Sequence, residues 1–263
     1  MPQSKISWAS AEGQEPEALN FLTWNCTKVS PGCKHCYAQA HSKLYPQNSA
    51  EGEFNGAPRL RIKALDELRL TKPGKVIFVN THSDTFHEKN PIGWIDDWFQ
   101  VMNQRPDLIF LLLTKRPEKA RLFADSVKWT DNIWLGTSGE SNAYLDRVDH
   151  LMAAPAVHRF ISFEPLLEGI LPYGLDRAVS CGVDWVIAGG ESGDLRRPFG
   201  KQWAADIQQV CQQRGIPFYF KQGGSLWPDQ DRELNGRTYD ERPPQFAALH
   251  EKYAVTASQP TLF

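Results

Sequence analysis

The sequence predicts an α/β fold, a (β/α) barrel either complete or partial, with a C-terminal lid or tail. Two observations predict it. Seven short apolar runs recur along the 263 residues, and each ends in small or polar residues. The segments between them space their apolar residues as helices do. Continuous Val-, Ile-, Leu- and Phe-rich runs of this length are the signature of strands buried on both faces, as in a parallel sheet.

In chain order the runs are "ALNFLTWN" (18–25), "KVIFVNTHSD" (75–84), "DLIFLLLTKRPE" (107–118), "NIWLGTSGE" (132–140), "HRFISFEPL" (158–166), "VDWVIAGGESG" (183–193) and "IPFYFKQGG" (216–224). Between the second and third, apolar residues at 92, 95, 98, 99 and 102 follow a helical period. Before the seventh they fall at 203, 204, 207, 210 and 211, and Gly215 is placed to stop the helix. Seven strand–helix units in one domain favour a barrel over separate domains; a doubly wound open sheet is the alternative. Residues 18–224 form that barrel. Residues 1–17 are a polar extension apart from "ISW" at 6–8, and 225–263 carry turn signals expected of a tail packed on the barrel.

Composition narrows the function. With 41% hydrophobic and 11% aromatic residues the chain can bury a core. Its 29 basic and 31 acidic residues, net −2, give no support for nucleic-acid binding driven by bulk charge, though a local basic groove stays open. No run approaches the roughly 18 apolar residues of a membrane span, and the first twenty residues lack the pattern of a signal peptide. The expectation is a soluble cytoplasmic protein with reduced thiols. Five cysteines, three of them within eleven residues, then point to metal or catalysis rather than disulfides.

In α/β barrels and open sheets the active site lies at the C-terminal ends of the strands. Those ends carry Asn80, His82, Ser83 and Asp84; Thr114, Lys115 and Arg116; Thr137, Ser138 and Glu140; Glu164; Gly189, Gly190, Glu191 and Ser192; and Lys221 with Gln222. The loop after the first run adds Cys26, Cys33 and Cys36, spaced Cys-x6-Cys-x2-Cys. Three thiolates on one loop suit an iron–sulfur cube with one iron left open. Zinc would want a fourth ligand, for which His35 and His41 are nearest. Buried thiols are the plainest alternative. Cys181 and Cys211 lie far off, and Cys211 falls on the apolar face of a helix. His82, Asp84, His87 and Glu88 are the residue types of a second metal site, although side chains on a strand-to-helix turn need not converge.

Laid out in order, the blocks "TWNCTKVSPGCKHCYA", "VIFVNTHSDTFHE", "LLTKRPE", "IWLGTSGE", "FISFEPLL", "VIAGGESG" followed by "RP", and "PFYFKQGG" make the chain resemble the phage-type three-Cys-motif family, which is related to radical S-adenosylmethionine (SAM) enzymes. The resemblance implies a radical SAM/TIM-like barrel, with a [4Fe–4S] cluster on Cys26, Cys33 and Cys36 and SAM on the open iron. An electron from the cluster, supplied by a donor, would cleave SAM to methionine and a 5′-deoxyadenosyl radical, which takes a hydrogen atom from substrate. Two features depart from the common radical SAM pattern. The first cysteine gap is six rather than three, and "NTHSD" stands where a Gly-Gly-Glu-like contact is usual, with "GGES" at the sixth strand.

The roles expected on this resemblance are as follows. His35 or Tyr37 stacks near adenine. Asn80, Ser83 and Asp84 accept from the methionyl ammonium. Lys115 or Arg116 pairs with a carboxylate of SAM or of an anionic substrate. Glu140 and Glu164 accept from ribose hydroxyls. Gly189 and Gly190 admit close backbone approach, Glu191 reaches inward, and Lys221 binds a substrate phosphate or carboxylate. The resemblance also suggests a nucleic-acid or nucleotide substrate, for modification or repair, and a dedicated protein partner. Arg196 and Arg197 would be further phosphate contacts, with Trp203 and Trp227 as stacking surfaces. Two other readings stand beside it: a zinc-holding nucleic-acid-binding protein, and a cluster protein that does not cleave SAM.

Overall fold

The computed structural model describes residues 6–10, 14, 17–23, 26–45, 54, 58–123 and 126–257. Its centre is one parallel sheet of seven strands: β1 (Glu17–Leu19), β2 (Lys75–Val79), β3 (Leu108–Thr114), β4 (Ile133–Ser138), β5 (His158–Phe163), β6 (Trp185–Gly189) and β7 (Phe218–Gln222). The spatial order is the chain order, and every neighbouring pair is parallel. All seven apolar runs therefore supply strands. β1 pairs with β2 and β7 with β6, and among the described residues the two edges do not meet. The sheet is a curled half-barrel. The first strand is shorter than its run: it ends at Leu19, and the rest of "ALNFLTWN" turns away, with Leu22 bridging Leu60. Trp24 and Asn25 lie outside the described residues.

Helices return the chain between strands: α1 (Tyr37–Leu44), α2 (Ala64–Leu70), α3 (Ile92–Asn103), α4 (Pro117–Arg121), α5 (Asp146–Ala153), α6 (Pro172–Ser180) and α7 (Lys201–Arg214). In α3 the expected stripe buries Ile95, Trp98, Phe99 and Met102, while Ile92 at the first turn is exposed. α7 buries Ala204, Ile207 and Cys211 and stops at Gly215, whose φ of 65° is the left-handed cap that glycine adopts without strain.

Alternation along the strands makes two apolar layers. Ile77, Val79, Phe110 and Leu112 face the helices. Val76, Phe78, Ile109 and Leu111 face the concave side, and register aligns Phe78, Leu111 and Trp134 in one row across it. An open half-barrel must cover this concave face with something other than its own strands. The two ends of the chain do so. Trp8 lies 5.0 Å from Phe78, 5.8 Å from Trp185 and 6.0 Å from Phe160, ring centre to ring centre. From the other end, Phe246 of α8 (Pro244–Ala257) sits 5.2 Å from Trp134 and 5.4 Å from Trp185. Between β7 and α8 the chain forms a small hairpin, β8 (Glu233–Leu234) with β9 (Arg237–Thr238). Its Asn235-Gly236 turn has positive φ at both residues, the expected conformation for that pair. No helix among the described residues is long and apolar enough to cross a membrane.

Candidate functional site

The cysteine loop lies over the C-terminal ends of the strands. Ser30 enters extended, Pro31–Cys33 forms one tight 3-10 turn, and Cys36 stands immediately before α1. Pro31 suits the first position of that turn because its φ is preset and no amide is needed there. Gly32 has a different reason. A Cβ there would come within 1.6 Å of Glu140 Oε2, so only glycine lets the loop settle on that carboxylate.

Cys26, Cys33 and Cys36 are all half-buried. Cys33 lies close enough to interact with both of the others. Burial, and then Asp84, push the Cys26 thiol up to about 12, against the opposing charge of Arg116. Burial also raises Cys36. Among the described residues no three His, Cys, Asp or Glu side chains are gathered as a metal-binding set. The donor chemistry nevertheless suits a soft cluster: three thiols from one short loop, with Cys36 in the wall of a cavity.

That cavity has a volume of about 200 Å³. Trp8, Ile6, Phe78 and Leu113 give it apolar lining. Its lining also carries Lys115, Ser138, Ser162, Glu164, Lys221 and Gln222, together with His35, Tyr37, Gly190 and Glu191. The Ser162 hydroxyl is fully buried and has no hydrogen-bond partner among the described residues. An unpaired buried hydroxyl costs free energy, so its place in a cavity wall is a reason to expect a ligand there.

Each charge at the cavity is held by a partner. Lys115 Nζ lies 2.8 Å from Glu140 Oε2, and Lys221 is ion-paired with Glu164. The Trp8 indole donates to the other Glu164 oxygen at 3.3 Å. His35 Nδ1 is 3.2 Å from Glu191 Oε2, and Arg197 pairs with the same carboxylate. Burial would raise the Glu191 carboxyl, but the hydrogen bonds from Arg197 and His35 and the Arg197 charge together hold it below the usual range.

The sequence-derived residues thus divide into two sets. His35, Cys36, Tyr37, Lys115, Glu164, Gly190, Glu191 and Lys221 surround the cavity. Asn80, Ser83, Asp84, Arg116, Glu140 and Gly189 are not in its lining, nor are Cys26 and Cys33. Asn80 (φ 55°) accepts from the Phe21 amide and donates to Thr85, so its amide is spent joining the segment after β1 to the loop after β2. Asp84 accepts from Thr114, Phe86, Lys115 and Arg116, which leaves its buried carboxylate no free face. Arg116, expected at an anionic ligand, is buried and turned toward Cys26 and Thr27. Glu140 is fully buried beneath the cysteine loop, between Lys115 and Arg147. Ser83 keeps a buried hydroxyl without a partner among the described residues. The His82, Asp84, His87, Glu88 group is divided: His82 faces His41, whereas Asp84 and Glu88 take Arg116. Trp203 packs against the core, and Trp227 is exposed.

Trp8, Ser162 and Arg147 were missed from the sequence. Two of them left a trace there: "ISW" is the one apolar patch in a polar N-terminus, and Ser162 is the lone polar residue within "FISF". Nothing local marks Arg147 as buried.

Comparison with curated proteins and with solved structures finds no significant match. A family model described as a protein of unknown function (DUF5131) matches residues 3–244, nearly the whole chain. The chain with this half-barrel, cysteine loop and cavity belongs to that family.

Proposed function

We propose that this chain is a radical SAM-like enzyme that holds a [4Fe–4S] cluster on Cys26, Cys33 and Cys36 and modifies or repairs a nucleic-acid or nucleotide substrate. The observation that carries the reading is the position of the three-thiol loop: it covers the C-terminal mouth of a parallel half-barrel, and Cys36 forms part of a cavity wall there. Three cysteines leave one iron of a cube without a protein ligand. When bound, the cluster would pass one electron from an external donor to SAM, releasing methionine and a 5′-deoxyadenosyl radical that takes a hydrogen atom from substrate.

The chain's own residues bind, orient and exclude water. His35 and Tyr37, on either side of Cys36, offer aromatic rings in the cavity lining for adenine. Lys115 and Lys221 present ammonium groups to a carboxylate or phosphate, each able to shift from its carboxylate partner to a ligand. Glu164 accepts from a hydroxyl, and Gly190 permits close backbone approach. Trp8, Phe78 and Leu113 line the cavity with apolar surface, which would help keep water from a reactive intermediate.

Anaerobic reconstitution with iron and sulfide tests the reading. The protein should take up about four irons and show the visible absorption of a cubane cluster, and the triple Cys26→Ala, Cys33→Ala, Cys36→Ala variant should take up none. Dithionite with SAM should then yield 5′-deoxyadenosine. One equivalent of zinc without iron in anaerobically purified protein would sink the cluster reading, and a loaded cluster that yields no 5′-deoxyadenosine would sink the enzymatic one.

A further inference from the structure

Arg116 follows the last residues of β3 and is 3% exposed. Its guanidinium reaches two segments at once. Toward the loop after β2, Nη1 lies 3.1 Å from Asp84 Oδ2 and Nε 2.8 Å from Glu88 Oε2. Toward the cysteine loop, Nη2 donates to the Thr27 hydroxyl at 2.7 Å and to the Thr27 carbonyl at 3.2 Å. Nη1 also lies 3.8 Å from Cys26 Sγ. The acceptors are themselves fixed. Asp84 is tied to Thr114 and to the Phe86 amide, and Thr27 to His87.

Burying a guanidinium with a carboxylate has a desolvation cost that good geometry only offsets. A network of this kind earns attention where it sets the position of something else. What it positions here is the segment Cys26–Thr27, far from Arg116 in sequence and with no strand to hold it. A planar fork of fixed donors can bridge the two loops, which a lysine ammonium cannot do.

We propose that Arg116 is the positioning residue of Cys26: it orients the sulfur for ligation and donates an N–H toward it, so that it sets the hold and the potential of the cluster. This rests on the cluster reading above. Hydrogen bonds to cluster sulfurs stabilise the more negative, reduced state, and loss of such supporting groups weakens metal binding.

The test compares reconstituted wild type with Arg116→Lys and Arg116→Gln by iron content, iron release to a chelator, potentiometric EPR titration, and circular dichroism of the iron-free proteins. The variants should fold, lose iron about 10- to 100-fold more readily, and titrate at a more negative potential with an altered EPR spectrum. Arg116→Lys should not rescue the potential. Folded variants with wild-type iron release and potential would overturn the proposal, because a merely structural strut would change melting alone. If neither variant folds, Thr27→Val, which removes the hydroxyl that accepts from Arg116 and that also meets His87 and Glu88 while leaving Arg116 itself in place, must shift release and potential in the same direction; unchanged values overturn the proposal. Wild type that takes up no iron removes the cluster reading itself and this proposal with it.

Discussion

Glu140 shows how one buried side chain organises the mouth of the half-barrel. Burial would raise its carboxyl. The Lys115 charge, the hydrogen bonds from Lys115 and Ser30, and the Arg147 charge outweigh burial and leave it below its ordinary value of 4.5. Its contribution to stability is therefore present above about 4.5 and lost as pH falls through the lower folded value. Glu140→Gln strands two cations and should cost about 3 kcal/mol at neutral pH, the scale for breaking a buried pair. Urea denaturation across acid pH should show wild type losing stability in that window while the variant stays flatter. Parallel curves would mean that the carboxylate carries no such weight. The charges at strand ends were legible in the sequence as a set. Which of them face the cavity was not, because that depends on partners more than twenty residues away: Lys115 with Glu140, Lys221 with Glu164.

The segment 6–10 behaves as a structural element although it has no regular structure. Trp8 is 1% exposed, packs into the concave face, and lines the cavity. Trp8→Ala should cost about 3–5 kcal/mol, since the rings of Phe78, Phe160 and Trp185 cannot collapse into so large a void. It should also free the Glu164 oxygen that accepts from the indole. Chemical denaturation monitored by circular dichroism measures the first effect, and a loss under 1 kcal/mol would contradict it. The strands themselves were readable because continuous apolar runs have few alternatives in a parallel sheet. The use of "ISW" was not, because three residues carry no period.

For the molecule as a whole, the unclosed sheet sets the requirement. Both edges stay unpaired with each other among the described residues, so the concave layer needs cover from outside the sheet. Trp8 supplies it toward the C-terminal strand ends and Phe246 toward the N-terminal ends. Deletion of residues 244–263 should expose Trp134 and Trp185, increase binding of a hydrophobic dye, and shift the protein to larger species on gel filtration. A monodisperse truncated protein melting with wild type would show that α8 is dispensable to the inner core.

By itself the sequence determined the seven strands, their parallel class, the core helix faces and the cysteine loop at the strand exits, since burial pattern and turn chemistry act over a few residues. Only the tertiary structure decided that the barrel stays open, that the chain ends fill it, and that Arg116, Asp84 and Glu140 support the cysteine loop from outside the cavity lining. Those outcomes depend on curvature and on contacts between segments distant in sequence, and neither leaves a local periodic trace.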